Sequence, residues 1–239
     1  MSDPKTTKTK KTKRNLFNLT DFKKIKIDLT ENQSQLVKTI DHNTLTLISG
    51  PSGTSKTFTS CYNSLKLLSQ KKIKKIIITK PIIESSKSLG YLPGSIDLKI
   101  EPYMKSFIST FVKLVGKEKT DELFRNDVIS IQTLNFMRGD TFDDSILILD
   151  ESQNLPVKDL MLWVTRLGKN SKAVCMGDIS QYDVKSSESG FSTFKDIMAG
   201  IKGFSSFEFQ KGDIVRNPFL IEVTDRYEQW KYSNSNGNN

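Results

Sequence analysis

Residues 47–60 read LISGPSGTSKTFTS, an apolar run that meets a cluster of turn residues and leaves with a lysine and a threonine. That order nearly matches the phosphate-loop pattern G-x-x-x-x-G-K-[ST]. Gly50, Lys56 and Thr57 fit, while the glycine expected before the lysine is Ser55. A strand that enters such a turn and leaves as a helix aims several backbone N–H groups and the helix N-terminus at one place, which suits a polyphosphate. Gly50, Pro51, Ser52, Gly53, Thr54 and Ser55 would then wrap the phosphates of a nucleoside triphosphate. Lys56 would reach the β- and γ-phosphates, and Thr57 would give its hydroxyl to Mg²⁺. Ser55 strains the turn if that position needs a glycine backbone, whereas Gly53 keeps the turn permissive. The plain alternative is a left-handed turn between a strand and a helix, with no ligand.

Further on, SILILDESQN ends an apolar run in two adjacent carboxylates, Asp150 and Glu151. In an α/β sheet this puts both acids at the C-terminal edge of a strand, where ligands bind. Asp150 would hold Mg²⁺ through water, and Glu151 would orient and deprotonate an attacking water. By itself the run is also what a buried strand capped by an acid looks like. A third strand end, MGDISQYD, brings Asp178 and Gln181 towards the same edge, where a glutamine can sense a γ-phosphate. A turn with an Asp cap would look the same.

These residues need a scaffold that gathers strand ends. The sequence predicts short buried strands at 45–49, 75–79, 127–132, 145–150, 173–178 and 205–210. Helices are predicted from the phosphate loop to about Gln70 and from near Pro156. Short apolar strands that alternate with helices make an α/β fold: a mostly parallel sheet with helices on both faces. Residues 80–126 break the rhythm with Gly, Pro and Ser clusters, and read as an insertion loop followed by a helix from about Glu101. Such insertions commonly contact substrate.

The bulk numbers set limits. The chain has 239 residues and 36% hydrophobic composition, enough for one large domain with a substantial core. Net charge is +9, and MSDPKTTKTKKTKR holds six cationic residues against one acid, so +5 of it lies in the first 14 residues. Such an arm attracts nucleic-acid phosphates without reading sequence, or it is a solvated leader. We expect 1–15 and 232–239 to be disordered tails around a domain at 16–231. Two cysteines and one histidine provide neither a disulfide framework nor an obvious zinc site. No secretory signal and no membrane-length apolar run is visible, so the expected location is a reducing cytoplasm, the host's if the gene is viral.

The blocks GPSGTSKT, KPIIESSKSLGYLPG, EPYMKSF, FMRGDTFDDSILILDESQN, GDISQYD and DIVRNPFLIEV occur in that order over roughly residues 28–229. Together they resemble the PhoH-like ATPases, relatives of superfamily 1 helicases, and are far more specific than a phosphate loop and an acid pair. The resemblance implies a single RecA-like P-loop core that hydrolyses ATP with Mg²⁺ and acts on RNA or single-stranded DNA. It implies a homo-oligomeric ring, a hexamer, because one core presents only half of a helicase-type site. Cellular members usually carry GTGKT, and the GTSKT here resembles phage-encoded ones. That departure puts turnover in question more than ATP binding. No nuclease domain of the kind fused to longer members is expected.

The resemblance adds positions. LTENQSQLV is similar to a helicase Q motif, in which Gln33 would bond the adenine edge. Thr30 followed by Gln33 also fits a helix capping box. Arg138 in FMRGDTF and Arg216 in DIVRNPF are candidates for an arginine finger on the γ-phosphate. Two rival functions stand beside the ATPase. One is an ATP-gated nucleic-acid-binding protein with little turnover. The other is a small-molecule kinase, disfavoured because DESQN supplies a water-activating glutamate.

Overall fold

The computed structural model describes residues 17–81, 96–178, 189–215 and 218–235. The predicted tail at 1–15, Gln181 and Arg216 lie outside these residues. Six parallel strands are present: β1 (Leu45–Ser49), β2 (Lys75–Thr79), β3 (Ile129–Ile131), β4 (Ser145–Leu149), β5 (Lys172–Gly177) and β6 (Phe204–Glu208). They form one sheet in the order β3-β2-β4-β5-β1-β6. All pairs are parallel, so every strand ends at the same edge. This is the α/β architecture, a parallel sheet with helices on both faces, that the alternation of strands and helices predicted.

The two-residue period of a strand sends alternate side chains to opposite faces. Ile48, Ile76, Ile78, Ile146, Ile148, Val174 and Met176 enter one buried cluster. Helices α2 (Glu31–His42), α3 (Lys56–Ser69), α4 (Ile96–Val115) and α5 (Lys117–Arg125) pack against it, after the short α1 (Leu19–Lys23). Leu45, Leu47, Ile77, Leu147, Leu149, Ala173 and Cys175 enter a second cluster under α6 (Val157–Val164) and α7 (Phe191–Met198). A last helix, α8, runs Pro218–Ser235. Each fully buried Leu or Ile contributes about 1.5–3 kcal/mol, so both faces hold the strand ends in register.

The boundaries depart from prediction in three places. The third strand is shorter than 127–132 because Asp127 has φ 55° and belongs to the turn after α5. Helix α4 begins at Ile96, five residues before the predicted start, and runs through Pro102. Helix α8 reaches Ser235, inside the span expected as a tail, because no glycine or proline interrupts it between Pro218 and Gly237.

Candidate nucleotide site

β1 hands the chain to the loop at Gly50, whose φ is 140°. A Cβ there would lie 2.7 Å from the Cβ and the carbonyl oxygen of Phe209, so both the dihedral and the space require glycine. Gly53 has φ 92°, and the buried Thr54 closes the turn by donating its hydroxyl to the Pro51 carbonyl at 2.9 Å. Ser55 then sits in the left-handed region, φ 66° and ψ 26°, and makes no side-chain cap on α3. The first N–H groups of α3 therefore face the cleft without a serine cap. Lys56 is folded back on its own loop, donating to the carbonyls of Gly50 at 2.5 Å and Pro51 at 2.9 Å.

The ends of β2, β4 and β5 meet this loop. Ser52, Gly53, Ser55, Lys56 and Thr57 share one cleft of about 380 Å³ with Asp150, Glu151 and Asp178. Lys80, Phe58 from α3, Ser106 and Thr110 from α4, and Val215 complete its walls. Asp150 is 8% exposed. Burial, and next the adjacent Glu151 carboxylate, push its carboxyl up to about 6, while Lys80 and Lys56 pull it down. Glu151 takes a left-handed backbone, φ 54° and ψ 33°, and leads into a single 3₁₀ turn, Ser152–Asn154. One of its carboxylate oxygens lies 3.6 Å from Lys80 Nζ, and the other accepts from Gln153 Nε2 at 2.7 Å. The Gln153 carbonyl oxygen accepts the Asp178 N–H at 3.1 Å, tying the end of β4 to the end of β5.

Mg²⁺ prefers hard oxygen donors. Two adjacent carboxylates, one of them buried and held above its ordinary pKa, are a donor set whose repulsion a divalent cation would relieve. Thr57 lines the same cleft. These residues fit the ion.

Other predicted positions fall elsewhere. Gln33 is buried in a capping box: its Oε1 accepts the Thr30 N–H, and the Thr30 hydroxyl accepts the Gln33 N–H. It does not line the cleft, but its neighbour Asn32 donates to Asp213 at 2.5 Å. Two residues on, the Val215 N–H donates to the Gly53 carbonyl. The segment that leads to Arg216 thus rests on the phosphate loop. Arg138 is an exposed residue after the 3₁₀ turn that follows β3, and it does not line the cleft.

Sequence reasoning missed Lys80 and Gln153. Lys80 directly follows the apolar run KIIIT, but a lysine after a strand is common and does not stand out as a pair of acids does. Nothing local marks Gln153, because its two partners come from different strand ends.

Among the described residues, no helix is long and apolar enough to cross a membrane. The PhoH-like protein family matches residues 25–228. The PhoH-like protein of Bacillus subtilis is 36% identical over 201 residues, 84% of this chain and 63% of its own. That of Mycobacterium tuberculosis H37Rv is 34% identical over 203 residues, 84% of this chain and 58% of its own. Protein PhoH of Escherichia coli K12 is 32% identical over 209 residues, covering 83% and 58%. The chain spans about six-tenths of the length of these curated relatives. Among solved structures, the Pif1 helicase of Candida albicans aligns over 77% of this chain and 41% of its own, with a TM-score of 0.38 and 15% identity. A match that takes in the phosphate loop, both strand-end acids and most of the sheet identifies the chain as a member of the PhoH-like family.

Proposed function

We propose that this chain binds ATP with Mg²⁺, hydrolyses it, and couples hydrolysis to RNA or single-stranded DNA. One observation carries the reading: the phosphate loop and the Asp150–Glu151 pair open into one cleft at one sheet edge. Lys56 exchanges the Gly50 and Pro51 carbonyls for β- and γ-phosphate oxygens, while the α3 N-terminus receives the phosphate charge. Thr57 and Asp150 hold the metal. The metal, when bound, would supply positive charge against the phosphates. Glu151 takes the proton of the attacking water. Gln181 senses the γ-phosphate, and one of the two arginines, Arg216 or Arg138, supplies the finger. Gln33 reads adenine from the α2 N-terminus, through the part of its amide that the capping box leaves available.

A single core of this kind presents half of a helicase-type site, so a neighbouring copy completes it, in a ring that we take to be a hexamer. The basic segment at 1–14 supplies contacts to nucleic-acid phosphates, and the work takes place in a cytoplasm. A second reading is an ATP-gated nucleic-acid binder with little turnover, and the observation behind it is the left-handed Ser55. Phosphate release with and without RNA tests both. Wild type should turn over ATP. Lys56→Ala should lose tight ATP·Mg²⁺ binding, and Glu151→Gln should bind ATP without hydrolysing it. Turnover by Glu151→Gln at the wild-type rate refutes the base assignment, and a wild type that binds ATP but releases no phosphate leaves the second reading.

A further inference from the structure

A general base works only if it is held at the right angle to its water, so what holds Glu151 is a mechanistic question. Its backbone is left-handed, a conformation that L residues adopt at some cost, and its side chain is 41% exposed. Neither feature fixes a carboxylate. The two contacts on that carboxylate do, one oxygen each: Lys80 Nζ on Oε1 and Gln153 Nε2 on Oε2.

Gln153 is 1% exposed and both ends of its amide are used. The carboxylate on one side can only accept, and the Asp178 N–H on the other can only donate. The amide therefore fits in one orientation, with nitrogen towards Glu151 and oxygen towards β5. Lys80 leaves β2 on the opposite flank of Glu151, since β2 and β5 are the two neighbours of β4. The Asp150 N–H donates to the Thr79 carbonyl at 3.0 Å, which carries the β2–β4 ladder up to the acids. The base is thus gripped from both neighbouring strands.

We propose that Gln153 and Lys80 are positioning residues for ATP hydrolysis, which clamp Glu151 between the ends of β5 and β2. The inference rests on the reading of Glu151 as the base.

The test uses the full chain. Gln153→Met keeps length and burial but loses both hydrogen bonds. It should lower kcat about tenfold, the rate equivalent of one hydrogen bond to a charged group. KM and the Kd for a fluorescent ADP analogue should stay within about threefold of wild type. Lys80→Met should lower kcat by about threefold, as a partly exposed pair allows, and Lys80→Arg should restore it. A further readout needs neither turnover nor a Gln153 variant that folds. In the ¹⁵N side-chain amide spectrum of nucleotide-free protein, Glu151→Ala should move one glutamine amide pair upfield and leave the fold intact. If wild type shows no Lys56-dependent turnover, the reading of the base fails, while the amide shift still decides the clamp. Gln153→Met with wild-type kcat, or glutamine amide signals that ignore Glu151→Ala, would overturn the proposal.

Discussion

Replacing Ser55 by glycine restores the usual phosphate-loop residue at the one position where this chain departs from it, and the structure fixes what should follow. Ser55 is held at φ 66°, ψ 26°. An L residue in that region costs about 1–2 kcal/mol relative to right-handed backbone, and glycine pays almost none of it. Glycine also gives the unfolded chain more freedom, which offsets about 0.5–1 kcal/mol. The net expectation is stabilisation of about 0.5–1 kcal/mol, or a rise in Tm of roughly 1–4 °C for a domain of this size. The serine hydroxyl caps nothing on α3, so ADP affinity and kcat should stay within about threefold. Thermal melts, fluorescent-ADP titration and phosphate release measure all three. The reasoning fails if Ser55→Gly lowers kcat tenfold or more. That loss corresponds to about 1.5–3 kcal/mol, one hydrogen bond to a charged group, and would mean that the hydroxyl serves a phosphate or Glu151 during turnover.

Asp150→Asn should stabilise the metal-free protein while abolishing Mg²⁺-dependent turnover. A carboxyl at about 6 in the fold against 3.8 when exposed means that ionisation opposes folding. The loss grows between pH 3.8 and 6 and is complete above, at about 3 kcal/mol. Melts in EDTA should therefore favour the asparagine variant at pH 7.5 and show no difference below pH 4, and a variant less stable at pH 7.5 contradicts the assignment. Deleting residues 1–14 should flatten the salt dependence of single-stranded nucleic-acid binding, with the log–log slope falling by up to about 4 if all six cationic residues contact phosphate. Turnover without nucleic acid should not change, and an unaltered slope makes the arm a passive leader.

What the sequence revealed follows from where the information lies. β1, β2 and β4 are read almost to the residue because strands buried on both faces are unbroken apolar runs with polar ends. Lys75–Thr79 and Ser145–Leu149 are such runs. The edge strand β6, FSSFE, shows only alternation, and β3 is cut short by a turn whose left-handed Asp127 has no glycine to announce it. The order of strands was not legible at all. That β5 lies between β1 and β4 is set by long-range packing, and it places Asp178 within reach of Gln153. The acids were visible because a carboxylate after an apolar run is unusual chemistry, whereas a lysine after a strand or a glutamine in a turn is ordinary. Lys80 and Gln153 acquire meaning only from the third residue that they share.

Among the described residues, the six non-glycine residues with positive φ divide by position in a way that bears on that chemistry. Lys71, Asp127, Asp144 and Asn170 all precede strands, at the edge remote from the cleft. Lys71 and Asp127 directly follow the C-caps of α3 and α5, where left-handed backbone is a common way to stop a helix. Ser55 and Glu151 do the reverse: each leads into a helical turn at the cleft edge, where an extended N-cap is the norm. An extended Ser55 would turn its hydroxyl onto the first N–H groups of α3 and occupy the donors that a phosphate must find. In the left-handed region it cannot, and the helix end stays open. The same geometry makes glycine the natural occupant and serine a tolerable one. The strain at Ser55 is thus the consequence of keeping an anion site uncapped, which is why its relief should raise stability and leave nucleotide affinity almost where it was.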